Sequence, residues 1–269
     1  MREPTTRLRI DLAYDGEPFA GFAAQPDQHT VQGVLEDALS RVLTRGEVAV
    51  STVVAGRTDR GVHAEAQTVH ADVPADAGWL ADLPKLTRIL DRMVGPAITV
   101  HRIRRVPASF DARFSATLRR YRYRLCDARA MPPLWRHDTW HIGRHDTEPV
   151  DVDAMDAAGQ SLVGEHDFAS FCRRREIRLS DGRRVEGTTM RTVTRLAVRR
   201  SRPAGLVLVR IDGTAFCHQM VRSITGTLVE VGRGRRPVDW VGEVLDARDR
   251  SVAGPVAPPQ GLSLVGVRY

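Results

Sequence analysis

Cysteine is scarce in this sequence, which contains only Cys126, Cys172 and Cys217. The number is odd and no two of them form a C-x-x-C pair, so the pattern argues against a disulfide framework and against a zinc site. Long hydrophobic runs are also missing: no apolar stretch approaches ~18 residues, and the N-terminus carries no signal-like apolar segment. We therefore expect a cytoplasmic protein.

Lysine is nearly absent, because Lys85 is the only one among 40 basic residues. A phosphate-binding loop of the form G-x-x-x-x-G-K-[ST] cannot occur around Lys85, so no ATP site is predicted. Arginine carries the basic charge, and a net charge of +7 with a pI near 10.1 favours a polyanionic partner such as nucleic acid. Genomic codon bias is the alternative explanation.

The length of 269 residues is natural for two domains. In the first part, alternation predicts a strand at 7–14, and Thr30 can cap a helix that Gly46 ends. The remaining predicted elements of this part are strands near 48–55, 66–73 and 98–106 and a helix over 79–93. The order is β-α-β-β-α-β, that of a ferredoxin-like unit.

The same order recurs in the second part. Its predicted elements are a strand at 119–125, a helix at 151–163, strands near 191–199 and 205–213, helices near 215–231 and 238–247, and a closing strand at 262–269. We predict an α+β fold of two ferredoxin-like halves, 1–107 and 108–269, with a catalytic cleft between them.

Two insertions interrupt the second half. Residues 126–147 are rich in Arg, His, Pro and Trp without a period, and residues 173–187 contain several arginines, beginning with Arg173. The second insertion is predicted to be a mobile basic loop that contacts phosphates. The alternative is a run of solvated surface arginines.

Residues 55–63, Ala-Gly-Arg-Thr-Asp-Arg-Gly-Val-His, follow a β-branched run and place Asp59 between two glycines. A turn residue that caps its own loop is the simplest interpretation of Asp59. A metal ligand is disfavoured, because no second carboxylate or histidine follows at ligand spacing. The third interpretation is a carboxylate nucleophile or base, with Arg57 two residues away to interact with substrate.

This segment resembles the signature loop of tRNA pseudouridine synthases of the A (TruA) type, and the resemblance extends in order along nearly the whole chain. The other matching blocks are Tyr14-Asp15-Gly16 with Phe19, Gly21 and Gln25; Thr30-Val31-Gln32; Phe110 to Ala116 with Arg120 to Tyr123; Gly164 to Phe168 with Ser170 and Phe171; and Phe216 to Arg222 through Gly226, Leu228 and Gly232. Three positions, Phe22, Arg60 and Gly187, depart from the residues usual in the family.

The resemblance implies the pseudouridine synthase fold, an isomerase that uses no cofactor and no metal, and uridines 38, 39 and 40 of the tRNA anticodon stem-loop as substrates. It also implies a homodimer. A base inside a stem must be flipped out before it can react. A carboxylate suits the reaction, because it can attack the sugar or the base and then leave again.

Site residues follow from the same resemblance. Asp59 is the reactive carboxylate, Tyr121 packs on the target uracil and transfers a proton late in the reaction, and Arg222 pairs with Asp59. Arg57 contacts the surroundings of the flipped nucleotide, and Leu262 lines the base pocket. For Tyr121 and Leu262 the alternative is an ordinary core position.

The helix predicted over 215–231 places His218, Arg222 and Gly226 on one stripe, at i, i+4 and i+8. A glycine inside a helix costs ~1 kcal/mol relative to alanine, so Gly226 suggests that another segment approaches closely there. Ordinary helix packing is the alternative.

Two rival functions remain. A non-catalytic RNA-binding protein would explain the charge but not the joint presence of Asp59, Tyr121 and Arg222. A nucleoside or glycoside hydrolase would need a second carboxylate to activate water.

Overall fold

The computed structural model describes residues 4–144, 148–173, 176–178, 184–202 and 205–269. In it, segments with alternating apolar residues form strands, and segments with apolar residues at a 3.6-residue repeat form helices. For 176–178 and 184–186 only the backbone is described. The strands are β1 (Thr5–Tyr14), β2 (Thr52–Val54), β3 (His63–Pro74), β4 (Ile98–Arg105), β5 (Leu118–Cys126), β6 (Trp140–His141), β7 (Gly164–Asp167), β8 (Glu176–Arg178), β9 (Arg184–Glu186), β10 (Met190–Ser201), β11 (Leu206–Gly213) and β12 (Leu262–Arg268). The helices are α1 (Val31–Thr44), α2 (Leu83–Val94), α3 (Val152–Gly159), α4 (Met220–Gly232) and α5 (Trp240–Ala247). The predicted α+β class is confirmed.

The chain divides into two compact units, one formed by Met1–Arg119 with Ser263–Tyr269 and the other by Arg120–Leu262. Most of β12 belongs to the first unit, because Ser263 and Leu264 pair with β3 in parallel. This division differs from the predicted halves, 1–107 and 108–269, in which the last strand closed the second half. Those halves, and the cleft, stay predictions.

In the first unit the elements follow the order β1-α1-β2-β3-α2-β4, which confirms the predicted β-α-β-β-α-β arrangement. The strands lie side by side in the order β4-β1-β3-β2, and all these neighbours are antiparallel. Ile10 of β1 lies opposite Val69 of β3 and Ile103 of β4, and Ile10 is fully buried. Thr30 caps α1 as predicted, since its Oγ1 accepts the N–H of Gly33 at 3.2 Å.

Two predicted elements of this unit are shorter in the structure. The strand predicted at 48–55 is reduced to β2, because the backbone before it bonds to α1 instead: the Val50 N–H donates to Ser40 Oγ at 2.8 Å. The helix predicted at 79–93 is a 3₁₀ turn over Gly78–Ala81 followed by α2. Asp82 separates the two, because its carboxylate accepts the Lys85 N–H at 2.9 Å and starts a new helix.

The second unit contains strands in the order β5-β11-β10-β7, and β10 is antiparallel to both of its neighbours. Leu196 of β10 lies opposite Ile211 of β11, and both are buried. Helix α3 packs on β10 where Gly159 has no side chain, since a Cβ there would overlap Leu196. This glycine lets helix and sheet approach closely.

Helix α4 begins at Met220, five residues later than predicted. Gln219 has a φ of 66°, in the left-handed region, and this residue interrupts the helical conformation. Phe216 and His218 therefore precede the helix, and the predicted stripe that included His218 is wrong. Arg222 and Gly226 do lie on α4.

Cys172 and Cys217 form a disulfide with their Cα atoms 5.6 Å apart. The expectation drawn from the cysteine pattern is wrong for this pair. The two residues are 45 positions apart, and only the folded chain brings them together. Cys126 is a free, buried thiol, and burial raises its pKa.

The basic loop predicted at 173–187 lies outside the described residues, apart from its ends and the backbone of β8 and β9. The insertion at 126–147 is described up to Arg144 and contains a 3₁₀ turn over Pro133–His137. Strand β6 follows this turn and pairs in parallel with β5. No periodic pattern had predicted these short elements.

Candidate active site

The connection between β2 and β3, residues 55–62, carries Asp59 and is called the Asp59 loop. The Val62 N–H donates to the Asp59 carbonyl at 3.1 Å, which closes the turn. The Phe22 N–H donates to the Thr58 carbonyl at 3.1 Å, which ties the turn to the segment that follows β1. Asp59 is half-buried in this arrangement, whereas Arg57 is exposed.

A buried hydrogen-bond network supports the Asp59 loop. The hydroxyls of Tyr14 and Thr58 lie 2.7 Å apart. The amide of Gln67 donates to the Tyr14 hydroxyl at 3.2 Å and to the Gly56 carbonyl at 2.8 Å. Burial raises the pKa of Tyr14 to about 12, so this phenol stays protonated as a donor. These bonds attach Gly56 and Thr58, the residues on either side of Arg57, to strands β1 and β3.

Arg119 holds the start of the Asp59 loop. Its guanidinium donates to the Ala55 carbonyl through Nε at 3.1 Å and through Nη2 at 2.8 Å. It also bonds to the carbonyls of Ala116 and Arg113, and Arg119 is only 8% exposed. A buried guanidinium that bonds several carbonyls fixes its neighbours more firmly than a single neutral bond would.

The segment after β1 approaches the Asp59 loop at two glycines. Gly16 has no room for a side chain, because a Cβ would overlap the Val62 carbonyl. Gly21 has a φ of 120° and a Cβ there would lie 3.2 Å from the Thr58 carbonyl oxygen. His63 Nδ1 accepts the Gly16 N–H at 3.1 Å. His63 thereby helps to hold the Asp59 loop against the segment that follows β1.

The residues of this support were only partly foreseen. Tyr14 and Thr58 belong to the matched motifs, but their hydrogen bond joins positions 44 residues apart. Gln67 and Arg119 were missed. Gln67 is fully buried in β3, but Glu65, Thr68 and His70 are also polar, so the sequence of this strand does not single it out.

In the second unit, Tyr121 and Tyr123 both face the buried side of β5. Tyr123 is fully buried, its hydroxyl donates to the Pro258 carbonyl at 2.6 Å, and burial raises its pKa. Tyr121 is 7% exposed, and its ring meets that of Phe216 edge-on with centroids 5.1 Å apart. Both tyrosines are buried, and Tyr123 is the more completely buried of the two.

Arg222 is fixed to an extended segment, residues 254–257, that runs along α4. Arg222 Nε donates to the Ala257 carbonyl at 2.7 Å, and the Ala257 N–H donates to the Arg222 carbonyl at 3.1 Å. The segment comes this close at Gly226, where a Cβ would overlap the Pro255 carbonyl oxygen. The close approach predicted at Gly226 is thus found.

Leu262 begins β12 and is 6% exposed. The residue before it, Gly261, lies against the ring of Tyr123, and a Cβ there would overlap that ring. Leu262 is thereby placed beside a fixed turn. Its packing is compatible with a core position as well as with a pocket wall.

Of the site residues predicted from sequence, Arg57 and Asp59 belong to the first unit, and Tyr121, Arg222 and Leu262 belong to the second. Within the described ranges, no group of three or more His, Cys, Asp or Glu side chains could hold a metal ion. In the same ranges, no helix is long and apolar enough to cross a bilayer. The absence of a cofactor, the absence of a metal and the cytoplasmic location stay predictions.

Replacing Thr58 by valine removes the hydroxyl but keeps the shape of the side chain. We expect the free energy of unfolding to fall by about 1–2 kcal/mol, because the buried Tyr14 hydroxyl loses its closest partner. Thr58→Ser keeps the hydroxyl and is the matched control. Urea denaturation measures both variants, and equal midpoints for Thr58→Val and the unmodified protein would contradict the proposed support.

Gly226→Ala should destabilise the protein by about 1–3 kcal/mol, because the new methyl group meets backbone that cannot move aside easily. Gly242→Ala is the matched control: Gly242 lies within α5, and its nearest neighbour to a built Cβ is Ser161 Cβ at 3.7 Å. We expect that control to be neutral or stabilising by up to about 1 kcal/mol. Thermal unfolding with both variants decides the case, and equal stability of the two would refute the close approach.

Comparison with known proteins identifies the family. The family model described as tRNA pseudouridine synthase matches residues 12–115 and 158–269. A tRNA pseudouridine synthase A of Frankia casuarinae is 49% identical, with 100% of this chain and 91% of that protein covered. The proteins of the same name from Streptomyces griseus and Caulobacter sp. are 43% and 41% identical, each over 98% of this chain and over 88% and 98% of their own lengths.

A chain in the crystal structure of a Cbf5-Nop10-Gar1 complex also aligns, at 11% identity over 95% of this chain and 57% of that one, but its TM-score of 0.33 is too low to carry an argument. The family assignment rests on the sequence comparisons. The chain belongs to the tRNA pseudouridine synthase family and is an isomerase that converts uridine to pseudouridine.

Proposed function

We propose that this enzyme isomerises uridines 38, 39 and 40 in the anticodon stem-loop of tRNA, with Asp59 as the reactive carboxylate. The observation that carries the proposal is the support of the Asp59 loop. Bonds from Arg119, Gln67 and Tyr14 hold Ala55, Gly56 and Thr58, the residues that lead to Asp59, while Asp59 itself stays partly accessible. A reactive group needs such preorganisation, whereas a simple turn residue does not.

The reaction conserves all atoms. The N1–C1′ bond of uridine breaks, the uracil turns, C5 bonds to C1′, and the proton on C5 is lost while N1 gains one. A carboxylate can add to the sugar or to the base and leave again, or it can remove a proton. Because the base stays bound and water takes no part, a second carboxylic acid is not required, unlike in glycosidases.

Tyr121 is proposed to pack on the target uracil and to transfer a proton in the last step. Tyr123 is not chosen for this role, because its hydroxyl donates to the Pro258 carbonyl in the core. Phe216 holds the Tyr121 ring edge-on. Leu262 is proposed as a wall of the base pocket.

Arg222 is proposed to keep the reactive carboxylate ionised and oriented. Its Nε bond to Ala257 fixes the plane of the guanidinium and supports such a role. The pairing with Asp59 itself rests on the family resemblance. Arg57, which is exposed beside Asp59, is proposed to contact the nucleotides around the flipped base.

Loss of the Asp59 carboxylate should abolish the reaction. With an unmodified tRNA transcript tritiated at uracil C5, we expect Asp59→Asn and Asp59→Ala to lower tritium release by on the order of 10⁴-fold or more, because no other residue supplies the reactive group. RNA affinity should change less than about threefold. Asp27→Asn, which removes an exposed carboxylate of the same unit, is the matched control.

The same assay tests the sites and the rival functions. Transcripts with cytidine at positions 38, 39 and 40 should release no tritium. Undiminished release from Asp59→Asn would remove Asp59 from the chemistry, and tight binding without release by the unmodified enzyme would favour a non-catalytic RNA-binding protein. Free uracil among the products would favour a hydrolase.

We also propose that the enzyme is a homodimer that needs neither metal nor cofactor. Light scattering at the concentration of the activity assay should give twice the chain mass of 29.9 kDa. A monomer mass at a concentration where tritium release is full would contradict the dimer. Dialysis against a chelator should leave the rate of release unchanged.

A further inference from the structure

Three arginines surround the start of α4. Arg222 lies in its first turn, and the next residue, Ser223, is fully buried. Nη1 of Arg250 donates to Ser223 Oγ at 2.9 Å. This bond holds the Arg250 guanidinium at the first turn of α4.

Arg173 is held at the same end of the helix. Its N–H donates to the His218 carbonyl at 2.9 Å, in the segment just before α4. The disulfide between Cys172 and Cys217 joins the same two segments one residue earlier on each side. Arg173 is itself exposed. The backbone of Arg173 is therefore held in place, and its exposed side chain starts from this position.

Neighbouring positive charges act on Arg250. Burial lowers the pKa of the Arg250 guanidinium, and the charges of Arg173 and Arg222 lower it further. In the part of the chain that the structure describes, no carboxylate forms an ion pair with Arg250 or Arg173. Like charges held together at a fixed position are compatible with binding of a negatively charged group between them.

The helix itself adds to this charge. Helix α4 spans 13 residues and starts at Gln219 without a side-chain cap, so N–H groups of its first turn point toward the same end. The partial positive charge of a helix N-terminus favours phosphate. Arginine guanidinium groups match the oxygen geometry of phosphate as well.

We propose that Arg250 and Arg173, at the N-terminus of α4, bind one phosphodiester of the RNA strand next to the reacting uridine. The inference rests on the proposed function, since Arg222 of the same cluster is there assigned to the reaction. Arg250 and Arg173 then position the strand and take no part in bond making. The site fixes the backbone of the substrate, while the base is held elsewhere.

Salt dependence of RNA binding tests the phosphate contact. With an anticodon stem-loop RNA, Arg250→Gln and Arg173→Gln should each weaken binding by about tenfold near 0.1 M salt. Each should reduce the slope of log K against log salt by part of about 0.7–0.9, the value for one phosphate contact, and the double variant Arg173→Gln/Arg250→Gln should remove all of it. Arg250→Lys should recover part of the loss. Arg92→Gln, an exposed arginine on α2, is the control for net charge.

A scan of stem-loops that carry one neutral methylphosphonate each locates the phosphate. At the contacted position, a methylphosphonate should weaken binding to the unmodified enzyme by about tenfold or more but should leave the double variant Arg173→Gln/Arg250→Gln nearly unaffected, because both changes remove the same contact. At all other positions the two changes should add. Saturating RNA should restore kcat to within about threefold, with KM raised.

Several results would overturn the inference. One is a salt slope of Arg250→Gln and Arg173→Gln equal to that of Arg92→Gln, and another is additivity at every methylphosphonate position. Competition by millimolar inorganic phosphate that is lost in Arg250→Gln, with RNA binding unchanged, would assign the cluster to a free anion instead. If thermal unfolding shows that Arg250→Gln is not folded, the salt slope of Arg173→Gln, a substitution at an exposed residue, tests the site alone.

Failure of the proposed reaction would be recognised separately. Pseudouridine formation by the unmodified enzyme is measured in the same preparations. An enzyme that forms pseudouridine yet binds RNA independently of Arg250 refutes only the phosphate site. RNA binding that depends on Arg250 and Arg173, without any pseudouridine, supports the site and refutes the reaction.

Discussion

The hydrogen bond between Tyr14 and Thr58 is the interaction on which the presentation of Asp59 depends. It lies in a buried place, where a lost partner is not replaced by water. Gln67 donates to Tyr14 and to the loop backbone at once, so strand and loop share one network. A carboxylate that must meet its substrate at a defined angle cannot rest on a loop with independent motion. The role proposed for Asp59 therefore accounts for the polar interior under this loop.

The second unit reaches a comparable rigidity by a different means. Gly226 and Gly254 allow the 254–257 segment to lie directly on α4, since a Cβ on either would meet backbone atoms. Ala257 then exchanges two hydrogen bonds with Arg222. The arginine is held by its own Nε and by the helix below it. The helix interior accepts an unfavourable glycine because the contact it permits fixes a charged side chain.

Sequence alone predicted the first unit well, because its strands alternate cleanly and Thr30 marks the start of a helix. It also identified the Asp59 loop through the resemblance of residues 55–63. It missed Gln67 and Arg119, whose partners lie 11 and 64 residues away, since no local pattern encodes such contacts. The late start of α4 depends on the left-handed conformation of Gln219, a residue type that gives no warning of it. The pairing of Cys172 with Cys217 likewise depends on tertiary proximity.

The net charge of +7 did not by itself distinguish a nucleic-acid partner from codon bias, and the structure explains why. Many arginines are occupied within the fold: Arg210 and Arg120 both bind the buried Asp212, and Arg200 binds Asp127. Arg119 is occupied by carbonyls. Such arginines add to the composition without offering charge to a ligand. Arg250 differs, because its guanidinium bonds to the Ser223 hydroxyl and the positive charges of Arg173 and Arg222 act on it. The position of a few arginines, rather than their number, is therefore what relates this composition to RNA.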